Sequence, residues 1–306
     1  MRGWLPVVVV GALLAPALVG CGASTAEDRA GGEKTVVSGV ASGKDTTVGA
    51  TPGTVSDGEA EGASGADEFV AEGTASGGSG QRADAVLGVR FGEHEDYERL
   101  VVDLGSGEEA AAAVPRWSLR RSSGDGLLRI SLPSARTTAV SDGDLGGSEG
   151  AILDCFYVVR APDEGLFIDV FTGEDFEYRT MELGDPARLV VDFRTGDGEM
   201  EVPLPEAAHN TVLVEPRSGA RTTDGALTVS GYSRNPEAMN TLILEGPEGK
   251  VLARKSVLGN DWTSTWGYFE ATLDAPGFSG EGMLRVGAGS ARHGEFEGVG
   301  VPVVGG

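Results

Sequence analysis

Short apolar runs separated by polar clusters fill the chain from residue 83 to its end. The runs are rich in valine, isoleucine, leucine and phenylalanine, and glycine, serine or aspartate follows them, which is typical of strands joined by turns. Long segments with a 3.6-residue period are missing, so the pattern predicts an all-β fold. The runs between residues 83 and 195 are AVLGVRF, RLVVDL, RWSLRR, LLRISL, CFYVV, LFIDVF and RLVVDF.

One of these runs occurs twice. YERLVVDLG (97–105) returns as PARLVVDFR (186–194). In a strand, alternate residues face opposite sides, so Arg99 and Asp103 share one face of the first copy, and Arg188 and Asp192 share one face of the second. A pseudo-symmetric domain with two related strands would explain the repeat. The four charged residues are interpreted either as surface ion pairs or as a patch that hydrogen-bonds glycan hydroxyls or stem-peptide carboxylates.

A polar, proline-bearing segment at residues 196–209 separates this region from a second one and is interpreted as a domain boundary. Seven further runs follow at short, regular spacing, and GPEG (246–249) is a predicted hairpin turn. Seven short strands in this span indicate an immunoglobulin-like β-sandwich at residues 209–306. The runs are TVLVEP, ALTVSGY, TLILEG, VLARKSV, YFEATL, MLRVGA and GVGVPVV.

The first 82 residues differ in composition from the rest of the chain. Residues 1–20 combine a basic start with a short apolar run, which predicts a signal peptide. The tetrad Leu18–Cys21 resembles the bacterial lipobox, so Cys21 is predicted to be the lipidated residue, anchored by two acyl chains. Residues 21–82 are acidic and rich in glycine, alanine and serine, with Phe69 as their only aromatic residue, and are predicted to be a disordered linker.

The net charge limits the classes of ligand that can be expected, and the cysteine content limits the possible disulfides. The net charge is −23, so a nucleic-acid ligand is not expected, because phosphate binding needs clustered lysine and arginine. After Cys21 the only cysteine is Cys155, which lies in the apolar run AILDCFYVV. It is interpreted as a buried, inert thiol, with a reactive thiol or a cross-chain disulfide as the alternatives.

Catalytic motifs are not visible. His94, His209 and His293 lie in separate polar segments, and no nucleophile–base arrangement or metal-ligand spacing accompanies them. Asp142 and Asp144 in SDGDLGG are interpreted as part of a solvated turn rather than a calcium loop. The sequence therefore predicts a protein that is not an enzyme and that uses no cofactor or metal.

The segment NDWTSTWGYF (260–269) carries the remaining candidates for ligand contact. Trp262, Trp266 and Tyr268 could stack on sugar faces, although aromatic residues of β-sandwiches more often fill the core. If Phe269 faces the core, Trp266 and Tyr268 share the opposite face of their strand.

The region from about residue 84 to residue 194 resembles the AMIN-type domain of bacterial envelope proteins, and more closely its AMIN-like relatives in Gram-positive lipoproteins. VLGVRF, RLVVDL and the terminal RLVVDF carry the resemblance. It implies a β-sandwich with two related halves at residues 83–195, and it implies peptidoglycan binding, because some members localise amidases or secretin parts by holding peptidoglycan. The SDGDLGGSEG insert (141–150) departs from a compact pattern of that family.

The C-terminal region resembles the Gmad2 domain, an immunoglobulin-like module linked by name to spore-germination proteins and found on many envelope lipoproteins. The resemblance is carried by LTVSGYSRNPEAMNTLILEGPEGKVL and WGYFEATLDAP, and continues through GEGMLRVGAGSARHGEFEGVGVPV. Where the family often has a Phe-Glu pair, this chain has Met239-Asn240.

Together these features predict a non-enzymatic lipoprotein on the extracytoplasmic face of the cell membrane. Its two β-sandwich domains would bind or scaffold at the cell wall, with peptidoglycan or an envelope protein as the partner. The alternative is a protein-binding accessory subunit of a wall hydrolase or of the spore-germination machinery.

Overall fold

The computed structural model describes residues 50–51, 68–79, 83–121, 126–145, 151–198, 203–222, 225–289 and 294–306. The predicted signal peptide, Cys21, His293 and most of the predicted linker lie outside this part of the chain. Within it, no helix is both long and apolar enough to cross a membrane.

The described residues are almost entirely β-structure, which confirms the predicted fold class. Helical structure is limited to two 3-10 turns, Pro236–Ala238 and Pro247–Gly249. All fourteen apolar runs named above overlap a strand. Numbered along the chain, the strands are Ala50–Thr51 (β1), Gly73–Gly77 (β2), Ala85–Glu93 (β3), Glu98–Ser106 (β4), Glu109–Ala110 (β5), Trp117–Arg121 (β6), Leu127–Leu132 (β7), Thr137–Thr138 (β8), Asp142–Asp144 (β9), Leu153–Arg160 (β10), Leu166–Thr172 (β11), Phe176–Leu183 (β12), Arg188–Thr195 (β13), Glu206–Ala208 (β14), Thr211–Glu215 (β15), Ala220–Arg221 (β16), Ala226–Ser233 (β17), Met239–Glu245 (β18), Val251–Leu258 (β19), Trp266–Asp274 (β20), Gly280–Gly289 (β21) and Phe296–Gly305 (β22).

These strands form three sheets. Sheet A has the order β1-β12-β13-β4-β3-β8, with β5 beside β4. Sheet B has the order β14-β15-β17-β20-β10-β11-β7-β6-β2, with β9 beside β10. Sheet C has the order β16-β22-β21-β18-β19.

The first apolar core lies between sheet A and the N-terminal strands of sheet B. On β4, Leu100, Val102 and Leu104 are at most 1% exposed and pack in one cluster with Ile130 of β7 and Ile168 of β11. Burial of one face at every second residue is what holds the register of a strand. The opposite face of β4 is therefore left for Arg99 and Asp103.

A second core lies between sheet C and the C-terminal strands of sheet B. Val229 of β17 and Phe269 of β20 pack with Leu242, Leu244 and Leu284 of sheet C. The predicted GPEG hairpin turn is confirmed, because the 3-10 turn at Pro247–Gly249 joins the antiparallel strands β18 and β19.

The structure differs from the predicted linker at its C-terminal end. Residues 73–77 form β2, which pairs with β6 at the edge of sheet B. Its sequence, GTASG, has no apolar pattern, but edge pairing uses the backbone. A Cβ at Gly77 would lie 2.9 Å from Nε1 of Trp117, so small residues suit this crowded edge.

Sheet B continues from the first β region into the second. β10 pairs in parallel with β20, through Val159 opposite Trp266 and Arg160 opposite Gly267. In addition, β14 lies within the segment that was predicted to be only a connection. The two β regions are therefore joined by backbone hydrogen bonding as well as by side-chain packing.

A third apolar cluster fills the junction. Tyr157, Phe167 and Phe171 from the first region pack with Tyr232 and Trp266 from the second. This explains why all seven residues of β11 are buried: one face of the strand lines the first core, and the other face lines the junction.

A buried carboxylate lies in this cluster. Asp169 of β11 is 0% exposed and accepts two hydrogen bonds of 2.6 Å from Nε and Nη2 of Arg129. The hydroxyl of Tyr232, from the second region, donates to the same carboxylate. Burial, together with the nearby charge of Asp169, raises the pKa of Tyr232, so the phenol keeps the proton that it donates. The guanidinium of Arg129 also lies 4.0 Å from the ring centroid of Phe167.

Cys155 is 1% exposed, as its apolar flanks predicted. Its sulfur is bonded in a disulfide and is not a free thiol. The interpretation of Cys155 as an inert thiol is therefore wrong. The apolar context of a cysteine predicts burial, but it carries no information about a distant sulfur.

We expect Tyr232→Phe to lower the free energy of unfolding by about 1–3 kcal/mol, because it leaves the buried Asp169 carboxylate without one of its donors. Tyr178→Phe is the matched control, since Tyr178 is equally buried and its hydroxyl has no hydrogen-bond partner among the described residues. Chemical denaturation of both variants is the measurement. Equal effects of the two substitutions would contradict the assigned role of Tyr232.

Candidate functional site

The two copies of the internal repeat lie side by side. β4 and β13 are antiparallel neighbours, with Arg99 opposite Asp192 and Arg188 opposite Asp103. The register places a local two-fold axis between Val101 and Val190, which are opposite each other. The repeat therefore marks two strands of one sheet that carry the same charged residues on the same face.

Asp192 is the centre of this face. It is 0% exposed and accepts hydrogen bonds from Nε and Nη2 of Arg99 at 2.6 and 3.0 Å. Nε of Arg179, on β12, donates to it at 2.9 Å. One buried carboxylate thus holds two guanidinium groups, which fixes both side chains against the sheet.

The second copy is more open. Asp103 is bound by Nε and Nη2 of Arg90, on β3, at 2.6 and 2.8 Å, and its side chain is 26% exposed. The hydrogen bond to Asp103 raises the pKa of Arg90 against the opposing effect of burial. Arg188 forms no ion pair within the described part of the chain, and its Nε is 3.4 Å from the carbonyl oxygen of Pro186.

Two aromatic rings border the arginines. The guanidinium carbons of Arg179 and Arg194 lie 4.6 and 4.5 Å from the ring centroid of Phe69. Arg99 lies 5.2 Å from the ring centroid of Tyr97. These separations fall within the range of cation–π attraction. The sequence analysis did not identify Phe69 as part of this surface. As the only aromatic residue of the predicted linker, Phe69 was nevertheless a recognisable exception in that segment.

We call this surface the arginine face of sheet A. It carries five arginines and only three carboxylates, a local positive excess in a chain whose net charge is −23. Arg194 of β13 binds Glu177 of β12 through Nε at 2.6 Å. The members of the face are Arg90, Arg99, Arg179, Arg188, Arg194, Asp103, Asp192 and Glu177.

The predicted aromatic candidates are placed differently from one another. Trp266 is 6% exposed; its ring packs edge-on to Tyr157, and its Nε1 donates to Asp142 at 3.0 Å. Tyr268 is half-buried beside Phe167, and its hydroxyl donates to Glu270. Burial and this hydrogen bond raise the pKa of Tyr268 to about 12. Both rings pack at the junction, where Trp266 is buried and Tyr268 is partly exposed.

Trp262 is the exposed member of the set, at 44%. Hydrogen bonds of Asn260 and Asp261 fix the loop that carries Trp262. Nδ2 of Asn260 donates to the carbonyl oxygens of Arg160 and Ala161, both at 3.0 Å. Oδ1 of Asp261 accepts the backbone N–H groups of residues 262, 263 and 264 at 2.7, 2.9 and 3.1 Å. Burial opposes ionisation of Asp261, but these backbone hydrogen bonds outweigh it and lower the pKa of that carboxyl.

The structure therefore brings Arg99, Asp103, Arg188 and Asp192 together and does not place the aromatic candidates among them. The four charged residues lie on sheet A, whereas Trp266 and Tyr268 lie on sheet B, and Trp262 lies in the loop before β20. Within the described residues, no three histidine, cysteine, aspartate or glutamate side chains form a group that could hold a metal ion.

Comparison with known families supports one part of the chain. Residues 211–295 match the family Gmad2, described as the immunoglobulin-like domain of bacterial spore germination. This match agrees with the sandwich formed by sheet C and the C-terminal strands of sheet B, and with an accessory or binding role. No curated protein and no solved structure matches the chain significantly.

We expect Asp192→Asn to lower the free energy of unfolding by roughly 3–5 kcal/mol, because it removes the negative charge that compensates two partly buried guanidinium groups. Asp103→Asn, at the symmetry-related and more exposed position, should cost about 1 kcal/mol or less. Denaturant titration of the two variants tests the difference. A larger loss for Asp103→Asn would contradict the central position given to Asp192.

Proposed function

We propose that this chain is a non-enzymatic, lipid-anchored protein of the extracytoplasmic membrane face that binds peptidoglycan through the arginine face of sheet A. The observation that carries the proposal is the pairing of the two RLVVD strands, which assembles a locally cationic face on an acidic protein. The linker would give the folded part reach into the wall.

The chemistry of the face suits this ligand. Peptidoglycan presents sugar hydroxyls and stem-peptide carboxylates, and the planar guanidinium group binds carboxylates through two parallel hydrogen bonds. Arg90 and Arg194 have side chains that are 56% and 48% exposed. Arg99 and Arg179 are held by Asp192, so binding would not require ordering these long side chains.

A second candidate function follows from the Gmad2 match. A domain described for spore germination favours an accessory subunit that binds protein, either in the germination machinery or beside a wall hydrolase. In that case the arginine face would contact a protein partner, and isolated wall material would not retain the chain.

The first proposal predicts that purified sacculi retain the full chain and that added salt weakens retention. Arg188→Ala should reduce retention severalfold without lowering stability, because Arg188 forms no ion pair in the described structure. Arg120→Ala is the control, since Arg120 is an exposed arginine on β6 of sheet B.

Failure of sacculi to retain the unsubstituted chain at low salt would refute the peptidoglycan proposal. Equal losses of retention for Arg188→Ala and Arg120→Ala would show that the wall attracts exposed arginines in general and that sheet A holds no specific site. Release of muropeptides during the same incubation would contradict the proposal that the protein is not an enzyme.

The lipid anchor has its own test. Cys21 is the only other cysteine of the sequence, and one sulfur cannot carry both a thioether and a disulfide. The lipid-anchor proposal therefore requires that the disulfide of Cys155 joins two chains. We expect mass spectrometry of membrane-extracted protein, digested without reductant, to find a diacylglycerol on an N-terminal Cys21. A peptide linking Cys21 to Cys155 would refute the anchor.

A further inference from the structure

β19 is the edge strand of sheet C, and part of its length lies against β20 of sheet B. It lies at the end of sheet C and pairs with β18 alone in the part of the chain that the structure describes. The strand has eight residues, whereas a very short strand is one way in which proteins protect a sheet edge. An edge of this length presents a row of backbone N–H and C=O groups to which another strand can add.

Half of the exposed large apolar side chains of the described residues lie on β19. Six large apolar side chains among the described residues are between 39% and 63% exposed, and all of them belong to the C-terminal region. Three are on β19 itself, and Met239 lies directly opposite Leu258 on β18. The six are Met239, Val251, Leu252, Leu258, Trp262 and Met283. The three on β19, with Met239 beside Leu258, place exposed apolar side chains at both ends of this edge strand.

Basic residues on β19 and directly before it indicate the charge expected of a partner strand. Neither Lys250 nor Arg254 forms an ion pair within the described structure, and both are exposed. Lys255 is turned across the sandwich, where its Nζ donates to the carbonyl oxygen of Thr272 at 2.8 Å. An uncompensated cation on an edge strand of an acidic chain favours a strand that carries carboxylates.

A second copy of this chain fits the edge poorly. Antiparallel pairing of two β19 strands about a two-fold axis near their middle would bring Arg254 and Lys255 close to the same residues of the other copy. Like charges on opposed strands are destabilising, and each chain carries a net charge of −23. The basic residues therefore act against self-association and leave the edge available to an acidic strand.

We propose that β19 is a docking edge for an extended segment of another protein, one in which apolar and acidic residues alternate, and that this segment adds to sheet C as a further strand. Main-chain hydrogen bonds would supply affinity, while Val251, Leu252 and Leu258 would cover apolar side chains of the incoming strand and Arg254 would meet its carboxylates. The edge lies on a different sheet from the arginine face, so this proposal does not depend on wall binding.

Hydrogen–deuterium exchange of the full chain tests the proposal, with a capped eight-residue peptide of alternating valine and glutamate as the probe. We expect the peptide to slow exchange of amides in residues 251–258 and to leave β16, at the opposite edge of sheet C, unchanged. A peptide of alternating valine and lysine should give no protection, and neither should the glutamate peptide with N-methylated alternate amides.

Arg254→Glu should weaken association with the glutamate peptide by about tenfold, since it replaces attraction by repulsion. Arg221→Glu is the matched control, because Arg221 is an exposed arginine on β16 of the same sheet. Thermal unfolding of both variants checks that they remain folded. Absence of protection at millimolar peptide, protection outside β18 and β19, or equal responses to both peptides would overturn the proposal.

Discussion

The carboxylate of Asp169 joins side chains from three strands in two separate β regions. Arg129 and Asp169 are neighbours in the first region, and Tyr232 reaches them from the second. Because the carboxylate is fully buried, each donor that it loses would leave part of a charge without solvation. The surrounding aromatic cluster and the parallel pairing of β10 with β20 act in the same place. At this junction the two sandwiches share sheet B and one buried cluster.

That constraint has a functional consequence. The arginine face lies on sheet A of the first region, and the β19 edge lies on sheet C of the second. Because the two regions share sheet B, a chain with both proposed binding surfaces would connect a wall polymer with a protein partner.

The sequence was sufficient for the strands because burial on one face leaves a local pattern. Alternation on β4 and β13 predicted both the core residues and the shared face of Arg99, Asp103, Arg188 and Asp192. It did not predict that Arg99 would bind Asp192 on the adjacent strand, because strand pairing is not encoded locally. β12 was missed because its run FEYRTMEL has no block of consecutive apolar residues, although Phe176 and Tyr178 alternate with Glu177 and Arg179 as in a strand with one buried face.

The junction could not be found from the sequence for a related reason. Asp169 lies within an apolar run, and the sequence alone does not show that it is a buried hydrogen-bond acceptor. Only the folded structure places its donor, Tyr232, beside it. Trp266 was a candidate for sugar stacking because the sequence pattern of a tryptophan beside polar residues is the same whether the ring binds a sugar or fills the core. Its contacts with Tyr157 and Asp142, more than a hundred residues earlier, decide between the two.

Differential scanning calorimetry of the full chain tests the joined body most directly. If the junction couples the two regions, the protein will unfold in one transition whose calorimetric and van't Hoff enthalpies agree. Two resolved transitions, with the earlier one leaving either sandwich folded, would show that the regions are independent and would contradict the account.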